Sequence, residues 1–272
     1  MRACLTLLLP LLASTAAFGQ TSSFCAATNN STGSPAVIST TGSLDVSQNN
    51  FGLSCSQLPA STIGVFVMSD QSAAAAPPNP GSMGNLCLGG ARAVFSGNIL
   101  STGSAGSVSM PVDLTNLPLG GGSAAAPGET YFFQFWFRDI APAGASNNLS
   151  DGVEVTFDPL PPSFSTDIYD AIFNPGCFGC HGNSGGLTLS GGSQSAYNNL
   201  VNAATSAANN GGTCAPLRVD PFNASGSLLV QVLESGCSNV SQNMWPNGSS
   251  ASFQQASVAT IRAWIDAGAP NN

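Results

Sequence analysis

Apolar and polar positions alternate in short runs through the first part of this chain. Ile63, Val65 and Val67 recur at every second position. Val108, Met110, Val112 and Leu114 alternate with Ser109, Pro111 and Asp113. Tyr131, Phe133, Phe135 and Phe137 alternate with Phe132, Gln134, Trp136 and Arg138, and Val153, Val155 and Phe157 with Glu154, Thr156 and Asp158. A period of two over several short runs, separated by Gly, Pro and Asn turns, predicts an all-β antiparallel sandwich over residues 21–158. The Ala- and Pro-rich stretch 73–80 and the Gly-rich stretch 120–127 read as loops. The aromatic run 131–137 has two readings, a ligand platform or a central strand covered on both faces. Core packing is the stronger.

Pro159, Pro161 and Pro162 mark a stiff linker over 159–163. Beyond it, over 164–272, the period becomes helical. Phe164, Ile168 and Ile172 share one face, and Pro175-Gly176 ends that helix. Ser193 is placed to cap a helix carrying Tyr197, Leu200 and Val201. Ser225 or Ser227 is placed to cap one carrying Leu228, Leu229, Val232 and Leu233. Ser252 and Gln255 read as the capping box of a last helix with Val258, Ile261 and Ile265 in one stripe, stopped by Gly268 and Pro270. The pattern therefore predicts a two-domain chain, with a mostly α C-terminal part and no internal repeat.

The first residues change where this chain is expected to work. Arg2, the apolar run Leu5 to Ala13, and small residues at Ala16, Ala17 and Gly19 read as a Sec-type signal peptide over 1–20. The mature protein is then expected in the periplasm or secreted, with no transmembrane segment. Only 7% of residues are charged, lysine is absent, and the formal net charge is −8. Phosphate recognition needs basic clusters, so no nucleic-acid partner is expected.

Cysteine usage fits an oxidising compartment. Cys4 lies in the leader. Cys214 and Cys237 are the spare pair in the C-terminal part and are expected to join. Among Cys25, Cys55 and Cys87 the favoured pairing is Cys25 with Cys87, leaving Cys55, and the pattern keeps the other pairings open.

The sharpest chemical signal is Cys177-Phe178-Gly179-Cys180-His181, which contains the chain's one histidine. C-x-x-C-H is the attachment signature of c-type haem. Two thiols form thioethers with the haem vinyl groups, and the adjacent imidazole reaches the iron. A zinc site would need a second ligand pair, and no second C-x-x-C exists. A thioredoxin-like motif expects a βαβ context, and a plain Cys177–Cys180 disulfide would leave His181 without a role. One covalent haem c per chain is the expectation.

The second axial ligand is then sought among soft donors. Of the methionines left after the leader, Met68, Met83 and Met110 belong to the β-part, and Met244 alone lies in the haem part. Its bland reading is a core-filling side chain; ligation is favoured. Arg218, one of two arginines there, is a candidate partner for a haem propionate through bidentate hydrogen bonds, against an equal reading as a solvated surface arginine. Phe173, Phe178, Leu187, Leu228 and Trp264 are expected to pack around the haem, first of all as ordinary core residues.

Residues 164–272 resemble a class I monohaem cytochrome c domain of secreted bacterial type, through CFGCHG, GGLTLSGG with AYNNLV, RVDPFNASGSLLVQVL, NMWPNG and TIRAWIDAGAP. In that family the ligand Met is often followed directly by Pro; here Trp245 intervenes. The resemblance implies a cytochrome c fold for the mostly α part. Residues 21–158 more loosely resemble an uncharacterised secreted β-sandwich module, through SMGNLCLGG, PGETYFFQFWFRD and SDGVEVTF, which carries no known activity.

The functional expectation is single-electron transfer through a His181/Met244-ligated haem to an unidentified redox partner protein, with the β-part as a docking or anchoring module. The alternative is a peroxidase-like haem enzyme with an open or displaceable sixth site. The lack of a distal histidine counts against it. A surface-binding protein carrying the haem part as a passenger is a third and weaker reading.

Overall fold

A computed structural model describes residues 19–76, 82–140, 146–174, 176–182, 186–205, 214–237 and 244–272. The chain divides into two compact units, one over 17–160 and one whose body is 161–272. Of the expected leader, residues 1–18 lie outside the described residues. Its last residue, Gln20, already belongs to a strand.

The strands of the first unit are β1 (Gln20–Cys25), β2 (Val37–Thr41), β3 (Gly52–Ser56), β4 (Ile63–Ser69), β5 (Ser72–Ala76), β6 (Leu86–Leu88), β7 (Arg92–Val94), β8 (Leu100–Ser101), β9 (Val108–Pro111), β10 (Thr130–Arg138), β11 (Asn147–Leu149) and β12 (Gly152–Thr156). One sheet runs β1-β12-β10-β4-β7, with β11 on β10 and β8 on β4. A second runs β2-β3-β9, and β5 pairs with β6. Every pairing is antiparallel.

Period-2 side-chain direction builds the core between the first two sheets. Tyr131, Phe133, Phe135 and Phe137 from β10 join Phe66 and Met68 from β4, Val153 and Val155 from β12, Leu53 and Cys55 from β3, and Val108 and Met110 from β9. Phe51 meets Phe133 at 6.1 Å and Phe157 edge-on at 5.4 Å. The odd positions of the aromatic run are thus core. Phe132 on the other face packs edge-on against Phe24 at 5.2 Å.

The second unit opens with a π-wound helix, Phe164–Phe173. Its Ser163 cap accepts from Thr166 N, and the Asn174 N–H donates five residues back to Tyr169 O. Then come α1 (Ser193–Leu200), α2 (Leu228–Glu234) and α3 (Ala251–Asp266). The cap of α3 is Ser250, which accepts from Phe253 N, two residues ahead of the expected Ser252. Gly192, without a side-chain cap bond, precedes α1 in place of the expected Ser193. Phe164, Phe173, Ile261, Trp264 and Ile265 form the centre of the unit's core.

The expectation of a mostly α C-terminal domain with a cytochrome c fold is corrected here. The helices are short and cover less than half of the unit, while the chain as a whole is mainly β-sheet. Irregular chain carries the remainder, pinned by isolated bridges of Val201 to Val219 and Ala204 to Leu217. The physical reason is composition. The connections are Gly-, Asn-, Ser- and Pro-rich, and such residues hydrogen-bond locally or refuse helical φ, so each helix stops after two to four turns. Helical spacing of apolar residues marks faces; it does not measure helix content.

Two disulfides close within the units, Cys25–Cys87 and Cys214–Cys237. They fit an oxidising, extracytoplasmic setting. Among the described residues no helix is long and apolar enough to cross a membrane.

Close approach of the neighbouring strand β10 leaves no room at Gly64 on β4. A Cβ there would lie 2.5 Å from the Phe135 ring and from Trp136 O, whereas one at Gly97 would meet nothing within 4 Å. Gly64→Ala is expected to lower stability by about 1–3 kcal/mol. Gly97→Ala is expected to stay within about 0.5 kcal/mol of the parent. Urea unfolding of the full chain measures both.

Candidate functional site

The C-x-x-C-H run forms one tight turn directly after the π-wound helix. Cys177 N donates to Phe173 O at 2.8 Å, so the run continues the helix's last carbonyls. Cys180 N and His181 N both return to Cys177 O, at 3.3 and 2.9 Å. That closure sets both thiols and the imidazole on five consecutive residues of a single turn. Leu189 N then donates to His181 O at 2.8 Å, holding the outgoing chain against the turn.

Both thiols are free. They differ in setting. Cys177 is half-buried against the unit's core, and its Sγ lies 3.8 Å from Ile172 O. Burial, with the neighbouring Cys180, pushes the Cys177 thiol up to about 11. Cys180 is exposed. The third free thiol, Cys55, is sealed in the β-core, where burial pushes its pKa far above the ordinary thiol range. His181 is part-exposed, and its Nδ1 is sealed from solvent without a hydrogen-bond partner. Packing rather than a hydrogen bond therefore holds the Nδ1 edge of the ring. Phe178 lies against Tyr169 with ring centres 5.2 Å apart.

The apolar residues expected around a haem separate into three groups. Phe173 and Trp264 are wholly inside the core, Trp264 donating through Nε1 to Pro270 O at 2.8 Å. Phe178 and Leu187 are half-buried at its margin, near the turn. Leu228 belongs to a small separate cluster with Ala215 and Val232 beside the Cys214–Cys237 disulfide.

Met244 is 40% exposed. The residues after it are firmly held. Trp245 is buried, donates through Nε1 to Leu233 O at 3.1 Å, and meets Phe253 edge-on at 6.1 Å. Pro246 packs on Gly176, the residue immediately before Cys177. The fold therefore brings the Met244 loop to the C-x-x-C-H turn across 63 residues of chain, the separation of His181 and Met244 in sequence. Sequence reasoning missed Gly176 and Trp245-Pro246 as the contact that does this. The signal available was a glycine directly ahead of the motif and a Trp-Pro pair after the methionine.

Arg218 is committed to backbone. Its Nη1 donates to Asn199 O and its Nη2 to Gly186 O, both at 2.7 Å. It ties the chain leaving the motif to the last turn of α1. The other arginine, Arg262, forms a two-pronged ion pair with Glu234, Nε to Oε1 at 2.7 Å and Nη2 to Oε2 at 2.5 Å.

The three free thiols among the described residues give a graded prediction. At pH 8 the thiolate of Cys177 should be roughly a hundredfold scarcer than that of an ordinary thiol, because its pKa is raised. In full-length protein prepared without haem, alkylation is expected to reach Cys180 first, Cys177 much later, and Cys55 only on unfolding. Peptide mass spectrometry after timed labelling checks the order.

Set against known protein families, curated proteins and solved structures, the chain matches none. Among the described residues, no three His, Cys, Asp or Glu side chains gather into a group able to hold a metal ion. With the sparse helices of the second unit, these findings overturn the resemblance of residues 164–272 to a class I cytochrome c domain, and that of residues 21–158 to an uncharacterised secreted β-sandwich module. Outside the C-x-x-C-H run, much of the matching text is turn-forming Gly, Asn, Ser and Pro, whose recurrence reflects turn chemistry shared by unrelated folds.

Proposed function

We propose that this protein carries one covalently attached haem c on Cys177, Cys180 and His181 and works as an extracytoplasmic single-electron carrier. Attachment asks for a local turn rather than for a particular fold. The observation that carries the reading is the state of that turn: two thiols three residues apart, both unpaired, closed by a backbone bond onto the one histidine. The pairing of Cys25 with Cys87 and of Cys214 with Cys237 leaves these two thiols available.

Each thioether would form by addition of a Cys177 or Cys180 S–H across a vinyl double bond, sulfur to one carbon and hydrogen to the other. No oxidant or reductant enters that balance, but both sulfurs must be reduced. His181 would offer Nε2 as the proximal ligand, its orientation set by the sealed Nδ1 side of the ring. Met244 would offer its thioether from the loop that Pro246 anchors beside the turn. Bound there, haem iron supplies a reversible Fe(III)/Fe(II) couple, and a His/Met pair favours the reduced state more than two imidazoles do. Phe178 and Leu187 would limit water at the margin. Arg218 would act by fixing the segment that follows the motif, with its remaining N–H groups available to a propionate.

A Sec-type leader over residues 1–20 would deliver the chain to the periplasm or beyond, in keeping with the disulfides. The partner would be a redox protein. With no lysine and a net charge of −8, long-range steering towards an acidic partner would be weak.

The exposure of Met244 bears on the alternative, a peroxidase-like enzyme with a displaceable sixth ligand. Protein expressed with haem attachment is expected to keep its haem colour through a denaturing gel, and Cys177→Ala with Cys180→Ala to lose it. An equally strong stain in that double variant overturns the reading. Met244→Ala is expected to lose the weak long-wavelength Met-to-iron band and to bind imidazole at least about tenfold more tightly. An unchanged spectrum would instead place the protein with open-site haem enzymes.

A further inference from the structure

We infer that the contact between Pro246 and Gly176 is the device that positions the Met244 loop at the C-x-x-C-H turn, and so controls access to the second axial position. The inference rests on the haem reading above.

Gly176 directly precedes Cys177, and its N–H donates to Phe173 O at 3.4 Å. It therefore belongs to the same rigid stretch as the two thiols. Its missing side chain is what admits the Pro246 ring. A Cβ at Gly176 would overlap Pro246 Cγ, stand 3.0 Å from Pro246 Cβ and lie 3.6 Å from Cδ. A leucine or lysine in that place could swing aside. A pyrrolidine ring cannot, since it is closed onto its own backbone. Any added atom at 176 must move the loop backbone.

The loop is held from its other side as well. The Trp245 indole donates to Leu233 O, its ring meets Phe253, and the Pro246 carbonyl accepts from Ser249 N at 3.1 Å and Ser249 Oγ at 2.8 Å. Met244 is thus the exposed neighbour of two anchored residues, one of them resting on the motif's own glycine. A methionine side chain is flexible, so the position of its backbone decides what its sulfur can reach. Gly176 is a positioning residue in this scheme. Gly179, inside the motif, is its natural control, because a Cβ there would meet nothing within 4 Å.

The test uses the full-length haem-loaded protein. Gly176→Ala is expected to keep its covalent haem stain, lose most of the Met-to-iron band and bind imidazole at least about tenfold more tightly. Gly179→Ala is expected to match the parent. Pro246→Ala, which removes the ring without a clash, should also bind imidazole more tightly. Adding Gly176→Ala to it should change little more, since both act through one contact. A parent-like Gly176→Ala, an equal effect of Gly179→Ala, or simple additivity in the double variant overturns the inference. If Gly176→Ala does not accumulate, Pro246→Ala decides, and parent-like imidazole binding there overturns it.

A second measurement separates this contact from the haem reading. In the haem-free full chain, acrylamide quenching of tryptophan is expected to rise in Gly176→Ala, as Trp245 loosens, and not in Gly179→Ala. Absence of haem stain in the parent alongside this rise would defeat the haem reading and leave the contact standing. No rise defeats the contact.

Discussion

The backbone bond from His181 N–H to the Cys177 carbonyl, 2.9 Å long, is the constraint on which the chemistry of this chain depends. It closes one turn over five residues, so two sulfurs and one imidazole are neighbours before any ligand arrives. Closure depends in turn on what lies upstream. Cys177 N is bonded to Phe173 O, and Phe173 is fixed in the core against Phe164 at 6.4 Å. Pre-ordering of this kind lowers the entropy that binding has to overcome, which is of order 1–2 kcal/mol per residue fixed.

The second unit keeps that turn in place with little regular structure. Arg218 joins a carbonyl in the last turn of α1 to one in the segment after the motif, Tyr169 Oη accepts from Gly192 N at 3.0 Å, Tyr197 Oη donates to Ala269 O at 2.8 Å, and the Cys214–Cys237 bridge closes a loop that contains α2. Polar side chains bonded to backbone N–H and C=O groups replace the ladder bonds that longer helices would supply. A disulfide closing a loop of this length adds roughly 3 kcal/mol when unstrained. This is why the apolar stripes placed Phe164 to Phe173 and Ala251 to Asp266 well, yet led to a mostly α domain that the structure does not have. The stripes report which residues face the core. Arg218 and Tyr197 act through backbone carbonyls and Tyr169 through a backbone N–H, and such bonds leave no trace in the pattern.

In the first unit the alternation in β10 and β12 was legible because one face of each meets a single core. Gln134 shows where that legibility ends. Alternation puts it on the second face of β10, which the aromatic run leads one to expect covered, without naming the cover. In the fold it is wholly buried, its Nε2 donating to Asn85 O and Ser150 O at 3.0 Å and its Oε1 accepting from Cys87 N at 2.8 Å. The Cys25–Cys87 bridge lies alongside, with Cys25 Sγ 3.9 Å from Nε2. The segment Asn85 to Cys87, pinned across the strand, covers the second face, and a period of two cannot say which distant segment does so. The candidate site divides in the same way. Cys177, Cys180 and His181 were visible because their spacing is the chemistry. Gly176 and Pro246 were not, because a contact made by the absence of a side chain is defined only by the partner that fills it.

The distribution of sulfur ties the two units to one chemical argument. In an oxidising compartment, free thiols that can meet will pair. Cys25 and Cys87 do, as do Cys214 and Cys237. Cys55 escapes because the β-core seals it and burial keeps it protonated. Neither protection covers Cys180, which is exposed, nor fully covers Cys177, which is half-buried three residues away. In such a compartment this pair is open to oxidation; the proposed thioether formation would remove both thiols at once. The proposed attachment of haem would consume both sulfurs beside the one imidazole, and in that reading the fold's part would be to keep the turn and the Met244 loop together.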